Sequence, residues 1–130
     1  METQMGEMNE YKPAYGAAVI VGVCILIVYV LTLAPSTTFW DTSEYIATAH
    51  ILGIPHPPGN PLFVVLARTW SLLLAPLGLP VAVRINLLAA VTSAAASSFL
   101  FLVAHRVISS FFDARRFAIA GAAAAALIGA

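Results

Sequence analysis

The sequence predicts an all-α fold, a polytopic bundle of transmembrane helices with three full spans and the start of a truncated fourth. Hydrophobic residues make up 61% of the 130 residues and charged residues only 9%, whereas soluble domains carry about 25% charged residues. Long uncharged runs also match the ~20 residues that a helix needs to cross a bilayer. We therefore expect most of the chain to be surrounded by lipid.

The charge balance argues against one class of partner. Six Lys and Arg residues offset six Asp and Glu residues, so the formal net charge is zero. A chain without a basic surface cannot neutralise the phosphates of a nucleic acid. No nucleic-acid partner is expected.

The N-terminal part combines a polar tail, residues 1–13, with a first span at 14–34. The span contains 21 residues without a charge, enough at ~1.5 Å per residue to cross the ~30 Å hydrocarbon core. A cleaved signal peptide is the alternative for this region. The apolar run exceeds the ~7 to 15 residues of a signal core and the preceding tail is acidic, so an anchored helix is favoured.

The first loop, residues 35–60, opens with a helix-start signature. Asp41 is placed to cap the free backbone amides, and Glu44 is placed to reach back to the N–H of the cap, as in a capping box. The helix is predicted to run along the membrane interface to about Leu52, where a glycine follows. The prolines within residues 55–61 predict a stiff, extended loop after it.

Two further spans and a partial one follow this loop. The second span is predicted at 61–79, where Arg68 interrupts it, and the third at 85–104. A polar link at 105–116 leads to 117–130, whose ~21 Å of helix cannot cross the bilayer. The chain therefore reads as the N-terminal piece of a longer protein. The alternative is a re-entrant or interfacial segment in a small subunit.

The third predicted span carries two rows of small residues at intervals of four, which let helix backbones approach closely. The rows are Ala89, Ser93 and Ser97, and Ala90, Ala94 and Ser98. We expect them to pack against further helices of the same or another chain.

The candidate chemistry lies between Asp41 and Arg84. Asp41 and Glu44 share one face of the predicted helix, and Arg68 is costly in lipid unless it faces protein, water or an anion. An acid pair beside an arginine suits an anionic lipid substrate, with a carboxylate as base and the arginine as phosphate clamp. Two alternatives stay open. The acids are only a helix cap, or Arg68 only snorkels or pairs with an acid elsewhere.

The sequence predicts neither a metal site nor a cofactor. His50 and His56, together with the two acids, supply suitable ligand types. No pair among them has the compact spacing of a metal-binding motif.

Three stretches resemble a known family. They are TLAP at 32–35, FWDxxEYI at 39–46 and LGIPHPPGNPLF at 52–63. Together they are similar to the N-terminal signature of a bacterial family of polytopic membrane proteins, catalogued as domain of unknown function 2723. That family is related to the transmembrane protein O-mannosyltransferases of animals and belongs with the GT-C glycosyltransferases.

The resemblance implies a GT-C-like fold of many helices in the bacterial inner membrane, with a cytoplasmic amino terminus and residues 35–60 as the first extracytoplasmic loop. It implies transfer of a sugar from a polyprenyl-phosphate donor to an acceptor hydroxyl. In this interpretation Asp41 is the catalytic base and Glu44 is its acidic neighbour.

The same resemblance suggests residues for substrate binding. His56 lies in the loop that shapes the site, and Arg68 or Arg84 would stabilise the leaving phosphate. The chain departs from the expected pattern with Thr42-Ser43, where Ser-Gly is expected, and with Asn60, where a larger or hydroxylated residue is common. Neither departure removes a charged group.

A non-catalytic function is the alternative: a small helical subunit that packs on a larger membrane complex through its small-residue rows. Charge does not settle the orientation in the membrane. With a cytoplasmic amino terminus and three spans, Lys12 and Arg84 lie inside while Arg106, Arg115 and Arg116 lie outside. That is three to two against the positive-inside rule.

Overall fold

The computed structural model describes residues 11–37, 40–112 and 115–130. Within these ranges the chain is all-helical, with five α-helices, one 3₁₀ turn and no β-strand, which confirms the predicted all-α class. The helices are α1 (Tyr15–Leu31), α2 (Thr42–Ile51), α3 (Pro61–Leu73), α4 (Val81–Ser109) and α5 (Arg115–Ile128), and the 3₁₀ turn is Ala75–Leu77.

In the described part of the chain, α4 is the one helix that is long and apolar enough to cross a membrane. It has 29 residues, and only 22% of its most apolar 18-residue window is buried inside the protein. The core helix of a soluble protein would be mostly buried, so this apolar exposure suggests a membrane protein. α1 and α3 are also apolar, but they have only 17 and 13 residues.

The segment predicted as the second span, 61–79, does not form one continuous helix. α3 begins with Pro61, which suits a first turn because no N–H is needed there. It ends at Leu73, and the chain then passes through the 3₁₀ turn to Gly78, whose φ of 68° a glycine adopts without strain. At ~1.5 Å per residue, α3 is about 20 Å long, shorter than the ~30 Å hydrocarbon core.

The helices form two compact units. The first unit contains the start of α1, the part of α4 from Ala94 onward, and α5. The second unit is Leu26–Ser93, which contains the end of α1, all of α2 and α3, and the first part of α4.

The core of the first unit is built from small side chains around one aromatic ring. Ala118, Ala122 and Ala126 recur every four residues on α5, and all three are fully buried. They pack with Phe101 of α4 and with alanines near the start of α1. The alanine run thus serves helix packing inside this unit.

α1 and α4 run antiparallel within the first unit. Tyr11, which precedes α1, hydrogen-bonds Nδ1 of His105 near the end of α4, with 2.9 Å between the two atoms. Further along, a Cβ added to Gly22 would overlap Oγ of Ser98 and lie 3.3 Å from the carbonyl oxygen of Ala94. A small-residue row of α4 therefore meets a glycine of α1, as a close backbone approach requires.

The core of the second unit joins α2, α3 and the start of α4. Ile46 and Ala49 of α2 are buried against Ala67 of α3 and Ile85 of α4. Near this core, Nδ2 of Asn86 donates to the carbonyl oxygen of Ala34 at 3.0 Å. The start of α4 therefore lies beside α2, which carries Glu44 and follows directly after Asp41.

Candidate active site

Asp41 lies immediately before α2, but its side chain does not cap the helix. Its backbone has φ −72° and ψ −8°, and its carboxylate makes no capping hydrogen bond. A capping residue usually has a β-region backbone, which turns its side chain toward the free amides. The helical backbone of Asp41 removes that geometry, so the predicted capping box is wrong. The Asp41 side chain is instead 63% exposed.

Glu44, the other half of the predicted capping box, contacts the proline-rich loop. Its Oε1 accepts a hydrogen bond from the backbone N–H of His56 at 2.6 Å, and its Oε2 lies 2.8 Å from Nδ1 of the same residue. A carboxylate that receives two such donors makes a strong, directional contact. Glu44 therefore ties α2 to the loop rather than to the backbone of Asp41.

The loop that carries His56 is a tight turn rather than the fully extended segment that the prolines predict. The N–H of Gly59 donates to the carbonyl oxygen of His56 at 2.9 Å, and Gly59 has a φ of 75°, which glycine readily adopts. Next to the turn, Nδ2 of Asn60 donates to the Tyr45 hydroxyl. The turn is thus held to α2 through two side chains.

The contact between Glu44 and His56 shifts both pKa values. The side-chain hydrogen bond from His56, followed by its backbone hydrogen bond, lowers the pKa of Glu44 from its ordinary value. The hydrogen bond and the charge of Glu44 raise the pKa of His56, and the charge of Asp41 adds to that rise. Both shifts favour an ion pair of glutamate with imidazolium.

His56 lies between the two carboxylates. Its Nε2 is 3.9 Å from Oδ2 of Asp41, on the opposite side of the ring from the Glu44 contact. One ligand atom from each of Asp41, Glu44 and His56 falls within 4.8 Å of the others, a proximity that the linear spacing does not reveal. Both oxygens of Glu44 are engaged by His56, so the geometry is that of an ion pair that faces Asp41.

A cleft of about 560 Å³ opens beside Asp41, and we call it the Asp41 cleft. Its volume lies within the ~300 to 1,000 Å³ usual for small-molecule sites. Ten residues from α2, α3, α4 and the adjoining loops line it: Trp40, Asp41, Thr42, Tyr45, Ile46, Asn60, Phe63, Ile85, Asn86 and Ala89.

Sequence reasoning missed three of the residues that shape this cleft. Tyr45 and Phe63 meet edge to face, with 5.4 Å between their ring centroids, and Asn86 presents a carboxamide from α4. A carboxamide inside an apolar helix is itself a signal of function, and it was available for Asn86. The pairing of two aromatic residues from different helices had no sequence signal.

The two arginines predicted to bind substrate lie elsewhere. Nη1 of Arg68 is 3.2 Å from Nδ1 of His50 on α2. Nη1 of Arg84 donates to the carbonyl oxygen of Ser71 on α3 at 2.6 Å. Among the described residues, neither guanidinium lines the Asp41 cleft or bonds to the acidic pair. His56 is therefore the predicted substrate-binding residue that the fold brings to Asp41.

Comparison with known proteins gives a consistent set of relatives. Protein O-mannosyl-transferase TMEM260 of Mus musculus is 41% identical over 97 residues, which cover 75% of this chain and 14% of the mouse protein. Protein O-mannosyl-transferase tmem260 of Dictyostelium discoideum is 32% identical over 94 residues, which cover 72% of this chain and 12% of that protein. The chain thus matches only a small part of each relative. No solved structure gives a significant match.

The expected relation to protein O-mannosyltransferases is confirmed, whereas these relatives give no support to a bacterial origin or to the bacterial family named above. A family model described as the Protein O-mannosyl-transferase TMEM260 N-terminal domain matches residues 41–130. The match begins at Asp41 and includes the whole Asp41 cleft apart from Trp40. The chain belongs to the family of Protein O-mannosyl-transferase TMEM260 N-terminal domains.

Proposed function

We propose that the chain is the N-terminal part of an integral-membrane glycosyltransferase that moves a sugar from a polyprenyl-phosphate donor to an acceptor hydroxyl. The observation that carries this proposal is the uncapped, exposed carboxylate of Asp41 beside a cleft, next to the ion pair of Glu44 and His56. The relatives are described as protein O-mannosyl-transferases, which adds the finer detail of the proposal. The sugar is mannose and the acceptor hydroxyl belongs to a protein.

The proposed reaction is an inverting displacement in which Asp41 is the general base. The acceptor hydroxyl oxygen attacks the anomeric carbon, Asp41 takes the hydroxyl proton, and the bond from the anomeric carbon to the phosphate oxygen breaks. A well-placed base of this kind contributes about 10²- to 10⁴-fold in rate. Glu44 and His56 act as positioning residues, because they hold the loop and keep an imidazole beside Asp41.

The leaving polyprenyl phosphate needs N–H or cationic groups to stabilise its charge. Arg68 and Arg84 each direct Nη1 to a histidine or a main-chain carbonyl of a neighbouring helix, and neither guanidinium lines the Asp41 cleft. The curated relatives are far longer than the matched segment. We assign the phosphate-binding groups to those further parts of the protein.

The test is sugar transfer in the complete protein that carries this segment, reconstituted in membranes with radiolabelled polyprenyl-phosphate mannose. Asp41→Asn should lower turnover by about 10²- to 10⁴-fold, because an amide cannot accept the proton. Ser43→Ala, a change at an exposed neighbour on α2, is the matched control and should keep full turnover. Near-normal transfer by Asp41→Asn would remove Asp41 from the role of base.

The alternative function, a non-catalytic subunit, depended on small-residue rows that face an outside partner. Ala94 and Ser98 meet Gly22 of the same chain, and Ala90 is buried. Those positions therefore already serve packing within the chain, which weakens the basis of the alternative.

A further inference from the structure

We propose that Arg68 and His50 form a binding site for the headgroup of an anionic phospholipid, on the surface that α2 and α3 present to the membrane. This inference goes beyond sugar transfer, because it concerns how the second unit contacts the bilayer and does not depend on the reaction. It assigns one partner, a bilayer lipid with a net negative charge, to one pair of side chains.

The Arg68 pair lies apart from the Asp41 cleft. Tyr45 packs on Phe63 in the lining of the cleft, and Nη1 of Arg68 lies 3.2 Å from Nδ1 of His50. Residues 18 positions apart meet in both pairs, so α2 and α3 run side by side in the same direction. From Phe63 to Arg68 the helix advances about 7.5 Å. The Arg68 pair therefore has a surface of its own.

The hydrogen-bonding groups that the pair leaves open are all donors. An arginine can only donate, so Nδ1 of His50 is the acceptor in this contact and the imidazole proton is on Nε2. Among the described residues, the polar side-chain atoms of Arg68 and His50 make no other hydrogen bond. The remaining guanidinium N–H groups and the Nε2–H of His50 are open, and such a surface requires an acceptor.

The charge of Arg68 also has no counter-charge within the second unit. The two acids of residues 26–93 are Asp41 and Glu44, and both lie next to His56. Among the described residues, no carboxylate forms an ion pair with Arg68. A phosphodiester supplies both the negative charge and the acceptor oxygens, and it matches the paired N–H groups of a guanidinium.

The apolar surroundings of the pair favour a lipid over a soluble anion. Val65 and Leu72 lie three and four residues from Arg68 on the same face of α3, and their side chains are 56% and 55% exposed. Ile51, which follows His50, is 72% exposed. At a membrane interface, a cation meets the lipid headgroups while its apolar neighbours meet the acyl chains. A helix as short as α3 suits that position.

Photo-crosslinking identifies the molecule that lies beside Arg68. The photoreactive amino acid p-benzoylphenylalanine is introduced at Leu72 of the purified complete protein, in phosphatidylcholine nanodiscs that contain about one part in ten of phosphatidylglycerol. Mass spectrometry after irradiation gives the share of phosphatidylglycerol among the captured lipids. We expect a roughly fivefold enrichment over the bulk share, as the ~1 kcal/mol of one arginine near the surface predicts.

Matched controls isolate the contribution of the pair. Arg68→Gln should lower the phosphatidylglycerol share at Leu72 to the bulk value. Arg116→Gln, which removes an exposed positive charge from α5, should leave the enrichment unchanged. The same photoreactive amino acid at Phe99, an exposed position on α4, should capture phosphatidylglycerol in its bulk share. Polyprenyl phosphate, added at the same mole fraction, should not displace phosphatidylglycerol from Leu72.

The proposal is overturned if capture at Leu72 follows the bulk share, if the enrichment persists in Arg68→Gln, or if Arg116→Gln abolishes it equally. Capture of a protein segment in place of lipid would assign Arg68 to another helix, and displacement by polyprenyl phosphate would assign it to the sugar donor. Either result also overturns the proposal. The melting temperature of each variant shows whether it is folded. If Arg68→Gln does not fold, His50→Phe takes its place, since it keeps an aromatic ring, removes the Nε2–H donor and should also reduce the enrichment.

Discussion

Asp41 and Glu44 look equivalent in the sequence, but they differ in what they contact. Glu44 receives two hydrogen bonds from His56, whereas Asp41 receives none from a described side chain. Glu44→Gln should therefore lower the melting temperature in detergent, because it replaces the anionic partner of an imidazolium with a neutral amide.

Asp41→Asn is the control for that change, since it alters an exposed carboxylate of the same kind. We expect its melting temperature to stay within a degree or so of the unmodified protein, since surface changes of this kind alter stability little. Equal effects of the two substitutions would contradict the different roles that we assign to the two acids.

The ion pair also predicts how the loop responds to pH. The raised pKa of His56 gives a contribution to stability that is complete below about 6.5 and is lost as the pH rises through the higher folded value. The lowered pKa of Glu44 gives a contribution that is present above about 4.3 and is lost as the pH falls through the lower folded value. The contact should be strongest between these limits.

An NMR titration of the imidazole resonances tests this pH dependence. The His56 midpoint should lie above the ordinary histidine value of about 6.5, and it should fall in Glu44→Gln, which removes the largest cause of the rise. Asp41→Asn should lower it less. If the His56 midpoint is unchanged in Glu44→Gln, the two side chains do not form the ion pair in solution.

At the level of the helices, the contact between α1 and α4 depends on a missing side chain. Gly22→Ala would push a Cβ against Oγ of Ser98 and near a backbone oxygen of α4, whereas nothing lies within 4 Å of a Cβ added to Gly16. Overpacking of this kind costs about 1 to 3 kcal/mol. Thermal melting should therefore rank Gly22→Ala below Gly16→Ala.

Both variants gain the same helix propensity from alanine, so the difference between their melting temperatures reports mainly the packing at each position. Ser98→Ala in the Gly22→Ala background should recover part of the loss, because it removes the nearest clashing atom. If both glycines tolerate alanine equally, the close approach of α1 and α4 is not what stabilises the first unit.

The elements show which predictions a sequence supports. Hydropathy was enough to predict helical segments near the observed α1, α4 and α5, because each is a long apolar run. Sequence reasoning failed where the partners are distant along the chain. The capping box was predicted from neighbouring residues, whereas Glu44 bonds to His56, twelve residues away. The Asp41 cleft was also beyond reach, because Asn86 joins it only when α4 packs on α2.

At the scale of the whole molecule, the membrane orientation depends on how many helices cross. The sequence-based charge count treated 61–79 as a span and came out three to two against a cytoplasmic amino terminus. α3 is about 20 Å long at ~1.5 Å per residue, and it packs on α2 and on the start of α4 within one unit. We therefore expect α3 to stay on one side of the membrane.

If α1 crosses the membrane together with α4, the charges fall differently. Tyr11, which precedes α1, contacts His105. Arg106 stacks over the ring of Tyr11, with 4.4 Å between the guanidinium carbon and the ring centroid. Lys12 and Arg106 then share a side of the membrane with Arg115 at the start of α5. The positive-inside rule now favours a cytoplasmic amino terminus, in agreement with the orientation that the family resemblance implies.

Cysteine labelling in intact cells tests this orientation, after Cys24, the single cysteine of the chain, is replaced by serine. Ala47, exposed on α2, and Ser110, exposed after α4, should lie on opposite sides of the membrane. Ala47→Cys should react with a membrane-impermeant thiol reagent in intact cells, and Ser110→Cys only after permeabilisation. The reverse pattern would place the Asp41 cleft in the cytoplasm, and labelling of both positions in intact cells would mean that α4 does not cross. The first outcome would contradict a catalytic loop that faces an extracytoplasmic acceptor, and the second would contradict α4 as a membrane span.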